Sequence, residues 1–72
     1  MVDVKSEVAG RVWQIVAGEG ETVAADDPIV ILESMKMEMP IEAPADGVLR
    51  EIIVAEGDSV QEGQVVAKMD ED

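Results

Sequence analysis

The residue of this chain best suited to chemistry is Lys36, in the run Glu33-Ser34-Met35-Lys36-Met37-Glu38-Met39. A primary amine between two apolar, flexible side chains is a poor core element and an unusual choice for a solvated loop. It suits a handle that must be reached from outside. Taken alone, an exposed lysine is an ordinary solvated residue, and Met35, Met37 and Met39 could fill gaps in a small core. The combination separates Lys36 from Lys5 and Lys68, which have no methionine brackets. Ser34 has no base beside it in sequence. The chain has no histidine and no cysteine, which removes zinc sites of the usual kind, thiol chemistry, disulfides and histidine-based acid–base catalysis.

The place of Lys36 in the chain adds weight. Shifted by 37 residues, Gly10 to Glu33 lies on Gly47 to Asp70 without a gap. Gly10/Gly47, Ile15/Ile52, Glu19/Glu56, Gly20/Gly57 and Val23/Val60 are identical, and Val12/Leu49, Val16/Ile53, Ile29/Val66 and Leu32/Met69 are chemically alike. Average composition would supply only about one or two identities by chance. The match runs back weakly through Val4/Ile41. The chain therefore reads as one domain, 1–72, with repeat halves of about 2–35 and 39–72, and Met35 to Glu38 joins them. Two repeats are too few for a solenoid, so the halves are expected to interlock about a pseudo-twofold axis.

Seventeen acidic residues against five basic ones give a formal charge of −12. That disfavours nucleic acid and anionic lipid as partners, since both are bound through Lys and Arg. The acidity serves solubility and steers the chain toward basic partner faces; it also favours a monomer. No apolar run has the length of a membrane span, and Met1-Val2-Asp3-Val4-Lys5 lacks a signal-peptide pattern, so a cytoplasmic location is expected.

Twelve Val and six Ile, with no Phe or Tyr, come in short bursts separated by glycine and acidic turns. This composition predicts an all-β chain with strands at Val2–Ser6, Arg11–Ala17, Pro28–Ser34, Met37–Ala43, Val48–Ala55 and Gln64–Met69. Very short strands are expected around Thr22–Val23 and Ser59–Val60. Glu19-Gly20-Glu21 and Glu56-Gly57-Asp58 are matching turns; Asp26-Asp27-Pro28 and Glu62-Gly63-Gln64 form a second matching pair. Between Pro28–Leu32 and Met39–Ala43 the chain must reverse without glycine or proline. A tight hairpin with Met35-Lys36 near its tip fits, projects the lysine outward and places backbone strain at a non-glycine tip.

Glu33 to Glu38 resembles the biotin-attachment signature, whose core is Met-Lys-Met. Glu19-Gly20-Glu21-Thr22-Val23 and Gly57-Asp58-Ser59-Val60-Gln61-Glu62-Gly63-Gln64 resemble the turn pattern of biotinyl and lipoyl domains. The resemblance covers about Val4 to Met69. It implies a flattened β-barrel, or barrel-sandwich hybrid, of two four-stranded antiparallel sheets, with the lysine on an exposed hairpin. Departures are Ser34 where the family usually has alanine, Ser6-Glu7-Val8-Ala9-Gly10 in place of a proline-rich motif, and Asp26 where glycine is common. Ala17 to Glu21 leaves no room for the protruding loop some carriers have. No flexible linker precedes the domain, which suggests a stand-alone carrier or an excised one.

The resemblance further implies that a biotin protein ligase attaches biotin to Lys36 and that the biotin carries carboxyl groups between a biotin carboxylase and a carboxyltransferase. Such a carrier is not itself catalytic and serves a carboxylase such as an acyl-CoA carboxylase. Met35 and Met37 would be recognition shoulders. Glu33 and Glu38 either set the ligase's approach or form a solvated face. Trp13, the only aromatic ring, aligns with Arg50, which points to a partly exposed structural position ahead of ligand stacking. The nearest alternative is lipoate on Lys36, in a 2-oxo acid dehydrogenase or glycine cleavage system; Met35 and Met37 depart from the Asp and Ala or Ser typical there. An unmodified structural barrel module is a more distant one. Asp26-Asp27 and Asp70-Glu71-Asp72 lack calcium-loop spacing, and the latter reads as a solvated tail.

Overall fold

Short β-branched runs cut by acidic turns leave this chain little choice but strands. The computed structural model describes every residue except Met1, Lys36 and Asp72, and the described residues hold no helix. Eight strands follow in order: β1 Val2–Lys5, β2 Gly10–Ile15, β3 Thr22–Val23, β4 Pro28–Ser34, β5 Met37–Glu42, β6 Gly47–Ile52, β7 Ser59–Val60 and β8 Val65–Glu71. They form two four-stranded antiparallel sheets, ordered β1-β8-β6-β3 and β5-β4-β2-β7, and β1 touches β5 where the sheets meet.

The expected strands are all present, with altered ends. Arg11–Ala17 stops at Ile15, because Val16 and Ala17 both donate to the single carbonyl of Ile29 (2.9 and 3.3 Å) and the ladder ends there. Val48–Ala55 stops at Ile52, since Ala55 enters a turn in which the Asp58 carboxylate accepts its amide at 2.9 Å. The last strand runs on to Glu71, correcting the solvated-tail reading for Asp70 and Glu71. Glu71 pairs with Gly47 and Asp70 with Val48, while Asp72 lies outside the described residues.

The strands of one half map onto those of the other. Adding 37 converts β2, β3 and β4 into β6, β7 and β8 at both ends, and it turns one sheet's strand order into the other's. The core obeys the same rule. The buried side chains pair as Val4/Ile41, Val12/Leu49, Ala17/Val54, Val23/Val60, Ile29/Val66, Val30/Ala67, Leu32/Met69 and Ser6/Ala43. Ser6, the one buried polar side chain among the described residues, donates its hydroxyl to the Val8 carbonyl. Backbone cross-links repeat as well. Gly20 donates to Leu49 and Leu49 to Glu21 (2.7 and 2.9 Å); Gly57 donates to Val12 and Val12 to Asp58 (2.8 and 2.8 Å). Each half thus caps its neighbour's strands, and neither half can satisfy its backbone alone.

Candidate functional site: the β4–β5 hairpin

The inward row of Val30 and Leu32 on β4 and Met39 and Ile41 on β5 sets the register of this hairpin, because a one-residue slip would expose Leu32 and Ile41. Leu32 pairs with Met39, Glu33 with Glu38 and Ser34 with Met37, so the connection is two residues long: Met35 and residue 36. Met35 has φ of 49°, the positive sign that primed hairpin turns need at their first central position. A side chain there costs about 1 kcal/mol relative to ordinary backbone. Lys36 itself lies outside the described residues; its two neighbours mark where the chain presents it.

Those neighbours are open to solvent. Met35 is 93% exposed and Met37 63%, more than the other exposed large apolar side chains among the described residues, Trp13, Ile53 and Val16. Met39 behaves differently: it is half-buried and faces inward opposite Leu32. Of the three methionines, the gap-filling reading fits Met39 alone. Glu33 and Glu38 are exposed, directly opposed across the strands and on the outer face, an arrangement of like charges that weakens the hairpin. Arg11 faces Glu33 from β2, yet its Nε donates to the Gly57 carbonyl at 3.2 Å. Glu33, Met35, Met37, Glu38 and Arg11 thus lie at the hairpin end of the β5-β4-β2-β7 sheet, without a catalytic dyad among them.

Trp13, expected to be partly exposed, is 49% exposed. Pairing jumps from Val12↔Leu32 to Gln14↔Ile31, so Trp13 is the extra residue of a β-bulge. Its counterpart Arg50 is the extra residue between Leu49↔Met69 and Glu51↔Lys68. A bulge re-aims its side chain. The alignment of Trp13 with Arg50 was the signal available for this, but nothing in either local sequence announces a bulge.

Comparison with known proteins agrees with this architecture. The model of the family described as biotin-requiring enzyme, the biotin/lipoyl domain, matches residues 1–69. The chain belongs to the biotin/lipoyl-attachment family. Among its relatives this family member is 38% identical to a biotinylated protein TB7.3 homolog of Mycobacterium leprae, across 90% of the chain and 92% of the relative. It is also 38% identical to a biotin/lipoyl attachment protein of Bacillus subtilis, across 92% of the chain and 90% of the relative. By contrast it spans only 6% of a Staphylococcus aureus pyruvate carboxylase, at 36% identity over 93% of the chain. Among solved structures, the Kluyveromyces lactis urea carboxylase superposes with a TM-score of 0.87 at 39% identity, over 92% of this chain and 6% of that one. The lipoyl domain of the 2-oxoglutarate dehydrogenase complex from Azotobacter vinelandii superposes with a TM-score of 0.77 at 35% identity, over 99% and 98%. The biotin/lipoyl member thus shares its fold with a lipoyl domain along nearly its whole length and with a small part of a much longer carboxylase.

Proposed function

We propose that this protein is a biotin carboxyl carrier, with biotin joined to Lys36 as an amide. The observation that supports the reading is the exposure of Met35 and Met37 on a two-residue hairpin whose other central position is Lys36. The residues fit the group: the tip is open, and neither described neighbour is held in the core. In ligation the amine displaces the leaving group of an activated biotin acyl carbon, and the amine proton is lost. No described residue at the tip supplies a base, so a biotin protein ligase must do so or desolvate the amine. Lys36 would hold the biotin, whose ureido ring would supply a carrier atom for a carboxyl group.

The chain's own contribution is presentation. Soft methionines on both sides pack against more than one partner surface, which suits a shuttle between a biotin carboxylase and a carboxyltransferase. Glu33 and Glu38 add negative charge below the tip, which favours basic partner faces. Tethering raises the local concentration of the carried group at each centre without tight carrier binding. Catalysis belongs to the partners. Acyl-CoA, pyruvate and urea carboxylases are all candidate hosts, and their shared use of such a domain is in keeping with a carrier that does not read the acceptor.

Incubation with biotin ligase, ATP and biotin, followed by intact mass, tests this. One biotinyl unit on the wild type and none on Lys36→Ala is the expected result. No gain under conditions that modify a known carrier overturns the reading. The second reading, lipoate on Lys36, draws on the likeness to the Azotobacter lipoyl domain, and the same assay with lipoate and a lipoyl ligase separates the two.

A further inference from the structure

The two halves differ where the bulges lie, and the first-half bulge is beside β4, the first strand of the lysine hairpin. In the second half, the bulge residue Arg50 bonds the Asp70 carboxylate through Nε at 2.5 Å. The twofold carries Arg50 onto Trp13 and Asp70 onto Glu33. In the hairpin half an indole therefore stands where a guanidinium would neutralise the carboxylate. Arg11 is opposite Glu33 in register but turns its Nε to Gly57. Among the described residues Glu33 forms no ion pair. Arg11, Val12, Trp13, Glu33 and Gly57 line a shallow depression on the outer face, with a half-exposed ring for a wall.

We infer that this depression is a resting site for the ureido ring of biotin carried on this same chain, an inference that builds on the reading above. The chemistry matches part by part. The indole offers a flat apolar face for the fused ring. The Glu33 carboxylate accepts from a ureido N–H, and the Arg11 guanidinium, with N–H groups beyond the one held by Gly57, donates to the ureido carbonyl. The depression begins at Glu33, three residues down β4 from Lys36, about 10 Å at strand rise. A lysyl stem extended by biotin's acyl chain is comparable with that distance. A short tether sets an effective concentration on the order of millimolar, so even a weak intrinsic affinity fills the site appreciably. Partners withdraw the ring by offering a tighter pocket, and between visits it is held beside its own mount.

Trp13 is the only tryptophan, so it reports directly. Wild-type protein is biotinylated by ligase, the mass gain is verified, and apo and holo forms are compared by tryptophan emission, acrylamide quenching and nuclear Overhauser contacts from the indole ring. Expected in the holo form are a blue-shifted emission, a roughly twofold drop in the quenching constant as the exposed half of the ring is covered, and contacts between indole and bicyclic-ring protons. Lys36→Arg, treated identically, should show none of these. Holo Glu33→Ala, which keeps the indole, should lose most of the shift. A verified mass gain with unchanged emission, quenching and contacts overturns the resting site while leaving the carrier reading intact. Absence of the mass gain overturns both.

Discussion

Asp26 and Gly63 hold the same turn position 37 residues apart, with φ of 73° and 83°. Each donates its amide to the strand end of the other half: Asp26 to Ala43 at 2.9 Å and Gly63 to Ser6 at 2.7 Å. The flanking residues match too, since the Asp27 carboxylate accepts from Ala24 and the Gln64 side-chain carbonyl from Gln61, at 2.9 and 3.0 Å. One half pays a left-handed side chain that the other avoids. Asp26→Gly keeps the amide bond and relieves the strain, against the extra chain entropy glycine loses on folding. The expected net gain is about 0.5 kcal/mol, read as a higher urea midpoint with an unchanged slope.

The twofold also breaks at Gly10 and Gly47. A Cβ on Gly47 would come within 1.9 Å of the Asp70 carbonyl oxygen, whereas on Gly10 it would meet the Glu33 carbonyl at 3.1 Å. Gly47 is held from both sides, pairing with Val23 and Glu71, so its backbone cannot withdraw. Gly47→Ala is expected to cost about 3 kcal/mol or to prevent folding, and Gly10→Ala about 1 kcal/mol. Thermal unfolding of the two variants side by side checks the ordering; equal losses would refute it.

Met35 and Met37 contribute little to the fold at their exposure, so their loss should register only in partner recognition. Met35→Ala and Met37→Ala are each expected to slow ligation by biotin ligase about tenfold, the effect of losing a modest interface anchor. Stability should stay within about 0.5 kcal/mol of wild type. Ligation rates from timed intact-mass measurements, with denaturation curves on the same samples, separate the two effects. Met39→Ala should show the reverse pattern, because Met39 faces inward.

The Arg50–Asp70 bond is short but wet, with side chains 52% and 45% exposed. A double-mutant cycle with Arg50→Ala and Asp70→Ala should give a coupling below about 1 kcal/mol. Salt should weaken it further. A coupling of several kcal/mol would show that the pair is shielded in solution.

Much of this protein is written in its linear sequence. The 37-residue repeat, the Val/Ile bursts and the paired acidic turns determine that the chain is all-β, how many strands it has, and that Met35 and residue 36 fall at a reversal. These are local or periodic properties, and period-two burial fixes register once a core face exists. The eight buried pairs follow from the repeat for the same reason. The tertiary structure decided what depends on contacts distant in sequence. β2 stops at Ile15 because Val16 and Ala17 share the one Ile29 carbonyl, and Asp70 and Glu71 become strand because Gly47 and Val48 lie beside them. Gly47 and Gly10 are identical in type and place in the repeat, and only the approach of Asp70 tells them apart. Trp13 and Arg50 become bulge residues through registers set by β4 and β8. An indole thereby lies beside a carboxylate twenty residues away along the chain, a neighbour that no local propensity encodes.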